Sequence, residues 1–175
     1  CFDGKADLKR GIIRCVEDPE RRFREDALRM LRALRFSAQL GFQIEDDTAR
    51  AIRENAGLCR LLSRERVCAE AEKTLLSPRP ETLSVMLREG LLAACGIEGD
   101  YELHALKTVS AEADARWAML KVLIPKLDMQ QFRLPPKFAY GILAAFHLMP
   151  GMAREYAQVR TAFAARGLKA GPLSM

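Results

Sequence analysis

Two side chains with complementary hydrogen-bonding capacity, Asp26 and Arg29, lie three residues apart in the segment DPERRFREDALRMLRALRF, residues 18–36. A carboxylate only accepts hydrogen bonds and a guanidinium only donates them. The pairing edges of adenine and cytosine carry an amine beside an acceptor nitrogen, whereas uracil and guanine carry a carbonyl beside an N–H. A fixed Asp–Arg pair could therefore admit A and C, and it would leave buried groups unpaired against U and G.

The same segment also has a purely structural interpretation. Asp18-Pro19 supplies a helix start, and residues 19–40 contain no glycine and no further proline, so the pattern predicts one helix ended by Gly41. Its charged stripe, opposite the apolar face, consists of Arg22, Glu25, Asp26, Arg29 and Arg32. Such a stripe can be a solvated face with pairs such as Glu25–Arg29, each contributing roughly 0.2–0.5 kcal/mol. Spacing alone favours this structural interpretation.

The remaining pattern predicts an all-α protein with a short strand-like segment at its front. Asp3-Gly4 is a turn signal, and residues 11–16 contain the apolar run of that strand. A single strand is not stable alone, so we expect it to pack on a helix, pair with another chain or be mobile. Further helices are predicted over residues 46–55, 64–76, 79–89, 103–124 (in one or two pieces), 137–148 and 152–166, with a linker at 96–102.

Three strings in order resemble one family, the class II tRNA nucleotidyltransferases and bacterial poly(A) polymerases. The string EDALR, residues 25–29, is similar to the E-D-x-x-R motif of that family's neck. FDGKADLKRGIIRCVEDP resembles the hinge end of its head domain, through Asp3, Gly4, Asp7, Leu8 and Arg14. SRERVCAEAEKTLL resembles the last neck motif, through Glu65, Arg66, Glu70 and Lys73, although Ala71 replaces the usual aliphatic residue.

The last of these strings has a structural alternative, a helix capped by Ser63 with an internal Arg66–Glu70 salt bridge. The resemblance covers residues 2–76, is generic over 77–99 and is faint beyond about residue 100.

The resemblance implies residue roles and an activity. Asp26 and Arg29 would pair with the base of incoming ATP or CTP, and Glu25 would hold Arg29 in place. The activity would be template-independent addition of CMP and AMP to RNA 3′ ends, either as CCA on tRNA or as poly(A). Its partner would be tRNA or another RNA 3′ end. Further supporting residues would be Arg22, Arg32, Glu65 and Arg66.

It also implies a division of the chain into a head-domain remnant (1–16), a nucleotide-selecting neck (17–99) and a helical, RNA-binding body (100–175). Catalysis in the family uses two Mg²⁺ ions held by carboxylates of a preceding head domain. The sequence contains no Gly-Ser turn followed by a paired-Asp strand, and Asp46-Asp47 are predicted as helix caps. We therefore expect no catalytic residue and no metal site in this chain, Mg²⁺ only in the missing head, and no activity of the chain alone.

Charge and composition agree with RNA as a partner without requiring it. The net charge is +5 and the pI about 9.1, which many ordinary proteins share. Basic residues that could contact RNA phosphates, or form a solvated surface, are Lys121, Lys126, Arg133, Lys137, Arg154 and Arg160. A non-catalytic helical RNA-binding or scaffold module is the alternative function.

The five cysteines form no C-x-x-C pair, so neither zinc nor a disulfide framework is predicted. The two histidines, His104 and His147, are predicted to be structural. The sequence begins with Cys and contains neither a signal peptide nor a long apolar run. We expect a cytoplasmic piece of a longer protein, with no membrane contact and an oligomeric state left open.

Overall fold

The computed structural model describes residues 4–124 and 126–127. These residues fall in the first of two compact units, which spans residues 1–133. The predicted helices at 137–148 and 152–166 lie outside the described residues, as do Asp3, Arg133, Lys137, Arg154 and Arg160.

The described part is mainly helical, which confirms the predicted fold class. Its α-helices are α1 (Gly4–Arg10), α2 (Pro19–Glu25), α3 (Leu28–Leu40), α4 (Asp46–Asn55), α5 (Arg64–Leu75), α6 (Thr82–Arg88) and α7 (Ala113–Leu123). Three 3₁₀ segments lie between them, at Ala56–Leu61, Ala93–Cys95 and His104–Thr108. Two short strands are β1 (Ile12–Ile13) and β2 (Gln43–Ile44). Among the described helices, none is long and apolar enough to cross a bilayer.

The prediction of one continuous helix over residues 19–40 is wrong at Asp26. α2 ends at Glu25, Asp26 has an extended backbone with φ −151° and ψ 102°, and α3 begins at Leu28. The Asp26 side chain gives the physical reason, because its Oδ1 accepts a hydrogen bond from the Leu28 backbone N–H at 3.1 Å. Aspartate often competes with helical hydrogen bonds in this way. Gly41, with φ 72°, ends α3 as predicted.

The strand-like segment at the front has a partner within the chain. β1 pairs in parallel with β2, with Ile12 opposite Gln43 and Ile13 opposite Ile44. Backbone N–H groups of Gln43 and Glu45 donate to the carbonyl oxygens of Gly11 and Ile13, at 2.8 and 3.0 Å. The expectation that the strand would lack a partner in this chain is therefore wrong. β2 escaped prediction because two residues are too few to show an alternating pattern.

The core of the described part is built around α3. Met30, Leu31, Leu34 and Ala38 of α3 are buried, and α5 packs against this helix. α7 also joins the core, where Trp117 is buried and shares an apolar contact region with residues of α5 and α6. The buried Arg116 donates from Nη1 to the Leu75 carbonyl oxygen at 2.7 Å, next to the end of α5. Arginine at this position satisfies a carbonyl that the helix leaves unpaired.

Candidate functional site

Asp26 lies at the junction between α2 and α3, and a distant arginine holds its carboxylate. Arg66, in the first turn of α5, donates from Nη2 to Asp26 Oδ2 at 3.2 Å and to Oδ1 at 3.4 Å. The Oδ1 atom also accepts from the Leu28 backbone N–H. About a third of the Asp26 side chain remains exposed (32%), so its carboxylate is open to a ligand.

Arg29 is held by the end of α2. Its Nη1 donates to Glu25 Oε2 at 3.0 Å and to the Arg22 carbonyl oxygen at 3.2 Å. Arg22 also donates to Glu25 Oε2, at 2.6 Å. The hydrogen bond from Arg29, together with the charges of Arg22 and Arg29, lowers the pKa of Glu25 below its usual value. Glu25 therefore makes the contact with Arg29 that the resemblance implied.

Among the described residues, no side-chain hydrogen bond or ion pair joins Asp26 to Arg29, although the Arg29 backbone N–H donates to the Asp26 carbonyl oxygen at 3.1 Å. Each side chain is held instead by its own partner, Asp26 by α5 and Arg29 by α2. Only Nη1 of Arg29 has a protein partner here, so its remaining N–H groups are available to a ligand. The acceptor, Asp26, thus lies at the break between the two helices, and the fork of donors, Arg29, lies in the first turn of α3.

A pocket of about 270 Å³ opens beside Arg29. It carries three arginines and no carboxylate along its wall, and two of these arginines, Arg14 and Arg29, are ion-paired to acids beside it. Arg32 makes no ion pair among the described residues, and its guanidinium lies 6.0 Å from the centre of the Phe36 ring. The lining residues are Ile13, Arg14, Cys15, Phe23, Arg29, Arg32, Ala33, Phe36 and Thr48. Guanidinium groups and aromatic rings are suited to binding phosphates and bases.

Ion pairs between elements support this pocket, and the sequence alone did not reveal them. Arg14 donates from Nε and Nη2 to the buried Asp7, at 3.0 and 3.2 Å, and its Nη1 lies 3.1 Å from Glu45 Oε1. Thr48 accepts from the Cys15 backbone N–H at 3.0 Å and donates to Glu45 Oε2 at 2.8 Å. Asp7 and Arg14 did belong to a recognised string, but no sequence signal marked Glu45 or Thr48.

The α5 motif makes contacts with other elements as well as one within its own helix. The predicted Arg66–Glu70 bridge is absent, since Arg66 binds Asp26 and the buried Glu70 binds Arg35 and Lys73. The Arg35 Nε and Glu70 Oε2 atoms lie 2.6 Å apart. Ser63 is at the cap position of α5 but makes no side-chain cap hydrogen bond. Glu65 lies exposed in the first turn of α5.

Comparisons with known proteins point to one family. Residues 41–95 match the family described as "Probable RNA and SrmB- binding site of polymerase A". The CCA-adding enzyme of Leuconostoc mesenteroides is 52% identical over 92 residues, which are 52% of this chain and 23% of that protein. The CCA-adding enzyme of Bacillus velezensis is 35% identical over 173 residues, or 91% of this chain and 43% of that protein.

A solved structure agrees with these relatives. The Bacillus stearothermophilus CCA-adding enzyme in complex with CTP superposes with a TM-score of 0.74 at 34% identity, covering 86% of this chain and 41% of that protein. The chain belongs to the class II tRNA nucleotidyltransferase family. It spans less than half the length of the family members compared here. Arg66 lies inside the matched segment 41–95, whereas Asp26 and Arg29 precede it.

The other site predictions for this member of the class II tRNA nucleotidyltransferase family have varied outcomes. Lys121 is half-buried and donates from Nζ to the Leu127 carbonyl oxygen at 2.5 Å, whereas Lys126 is exposed. His104 is exposed beside Glu102, with Nε2 and Oε2 3.8 Å apart. Within residues 4–124 and 126–127, no group of three or more His, Cys, Asp or Glu is placed to hold a metal ion.

Proposed function

We propose that this chain provides the nucleotide-selecting and RNA-binding part of an enzyme that adds CMP and AMP to RNA 3′ ends without a template. The observation that carries this proposal is the arrangement of Asp26 and Arg29. Each is anchored by a separate partner, each keeps about a third of its side chain exposed, and Arg29 borders a pocket with three arginines. This arrangement offers an acceptor and several donors to a base, and cations to its phosphates.

The comparisons favour CCA addition to tRNA over poly(A) addition, because the relatives reported above are named CCA-adding enzymes. In this proposal ATP and CTP are the substrates, and a tRNA 3′ end is the partner. Residues 17–99 would select the nucleotide and residues 100–175 would bind RNA in the cytoplasm. Since no described carboxylate cluster could hold Mg²⁺, the transfer chemistry is assigned outside the described residues.

Binding of the four nucleoside triphosphates to the purified chain tests the selection step. We expect the chain to bind CTP and ATP more tightly than UTP and GTP, as measured by NMR titration. Asp26→Ala should weaken CTP and ATP binding by roughly ten- to a hundredfold, the value of one hydrogen bond to a charged group. It should affect UTP and GTP less, because the acceptor that is mismatched with their carbonyl oxygen is gone.

Asp47→Ala is the matched control, since Asp47 is an exposed aspartate that pairs with Arg50 on α4. It should leave all four affinities unchanged. A scaffold protein, the alternative function, has no reason to distinguish the bases. Equal affinity of the wild-type chain for the four triphosphates would therefore favour the scaffold and reject nucleotide selection.

A further inference from the structure

The Asp26 carboxylate depends on a residue forty positions further along the chain. Its local contact, from the Leu28 N–H to Oδ1, restrains only one of its oxygen atoms. The other oxygen, Oδ2, has its protein partner in Arg66 Nη2 at 3.2 Å. Without Arg66, the described structure contains no side chain that would restrain rotation of this carboxylate.

Arg66 is itself well placed to act as such a restraint. It lies on α5, which packs on α3 and whose residues Val67, Ala71 and Leu75 are buried. One helical turn after Arg66, Glu70 forms the buried ion pair with Arg35 of α3. Because residues four apart share a helix face, the same face of α5 contacts both α3 and the junction that precedes it. Core packing thus fixes where the backbone of Arg66 lies, and its half-exposed side chain reaches Asp26 from there.

We propose that Arg66 is a positioning residue for base selection, which acts by fixing the direction of the Asp26 carboxylate. This inference rests on the proposed function. A carboxylate that rotates freely can present its lone pairs to an amine or to a ring N–H alike. When Arg66 Nη2 occupies one side of the carboxylate, the remaining lone pairs point in a fixed direction. Arg66 then sharpens the preference for bases that carry an amine beside an acceptor, without touching the base.

Three arginine variants test this inference in the purified chain. Arg66→Ala should reduce the ratio of CTP to UTP affinity by about two- to fivefold, the scale expected for a partly exposed ion pair. Arg66→Lys should restore part of the ratio, because an ammonium keeps the charge but lacks the planar fork. Arg60→Ala is the matched control, since Arg60 also pairs with a distant acid, Glu98, at 3.1 Å. It should leave the ratio unchanged.

A second readout separates positioning from general stability. NMR relaxation of the Asp26 side-chain carbons should show increased motion in Arg66→Ala, and no change in Arg60→Ala. A merely structural role would lower the affinity for all four triphosphates by the same factor and keep their ratio. If wild type discriminates and Arg66→Ala keeps both the ratio and the Asp26 motion, the inference is overturned and the proposed function stands. If wild type binds all four alike, the proposed function fails first and the inference fails with it.

Discussion

At the residue scale, Glu25 supports Arg29 but is not its only anchor. Arg29 Nη1 also donates to the Arg22 carbonyl oxygen at 3.2 Å, and that acceptor is part of the backbone. We therefore predict that Glu25→Gln weakens discrimination between CTP and UTP, but less than Asp26→Ala does. The ratio of the two dissociation constants measures this effect. Glu20→Gln, which removes the exposed Glu20–Arg24 pair of the same helix, is the control and should change nothing.

The charge state of Glu25 also gives an expected pH dependence. Arg29, with help from Arg22, lowers the pKa of Glu25, so the folded protein holds this carboxylate charged more strongly than the unfolded chain does. Its contribution is present above the unfolded pKa and is lost only as the pH falls through the folded pKa. Discrimination should therefore be constant between about pH 6 and pH 8, well above the range in which glutamate titrates. A loss of discrimination within that range would show that another group holds Arg29.

Cys59 offers a third residue-scale prediction, which concerns the core beneath the site. Its side chain is fully buried, and burial raises the pKa of its thiol to about 12. Since the thiolate is the reactive form, only about one molecule in ten thousand would carry it at pH 8. Iodoacetamide at that pH should leave Cys59 unlabelled in the native protein and label it in urea, as read by peptide mass spectrometry. The partly exposed Cys15 should be labelled faster in the native protein.

At the element scale, the contact between α3 and α5 brings the two halves of the site together. α3 begins two residues after Asp26 and carries Arg29, whereas α5 carries Arg66. The buried Arg35–Glu70 ion pair joins the same two helices. Their packing therefore determines where Arg66 lies relative to Asp26.

Removing the charge of Glu70 should destabilise this contact. Arg35 would keep its bond to Gln39 but lose its buried anion. We expect Glu70→Gln to lower the free energy of unfolding by about 3 kcal/mol, as is common when one partner of a buried pair is removed. Urea denaturation measures this change. Glu72→Gln on the same helix is the control, because Glu72 has no ion-pair partner among the described residues. Equal effects of the two variants would show that the Arg35–Glu70 pair adds no stability.

At the scale of the whole molecule, the function proposed for this chain places nucleotide selection and catalysis in different parts of one enzyme. Phosphoryl transfer of this kind needs carboxylates that hold divalent metal ions, and the described residues place no such cluster. We predict that the purified chain, incubated with tRNA, Mg²⁺ and labelled CTP or ATP, incorporates no nucleotide. The Bacillus velezensis CCA-adding enzyme in the same assay serves as the positive control. Incorporation that survives further purification and is lost in Asp26→Ala would contradict the proposal that catalysis requires another part of the enzyme.

The helical class, the helix end at Gly41 and the pairing of Glu25 with Arg29 could all be predicted from the sequence. Each of them depends on residues a few positions apart, for which spacing, capping and glycine conformation are direct physical signals. The EDALR string also led to the candidate site, because a motif of adjacent residues can be recognised without any knowledge of tertiary contacts.

The break at Asp26, the partner strand at Gln43–Ile44 and the Asp26–Arg66 contact required the tertiary structure. At Asp26 the side chain competes with the backbone, and helical periodicity does not predict which of them wins. Spacing along one helix suggested that Arg66 pairs with Glu70, four residues away. In the folded chain Arg66 binds Asp26 and Glu70 binds Arg35, because α5 packs against α3. Contacts across forty residues depend on how helices pack, and that is decided only when the whole core assembles.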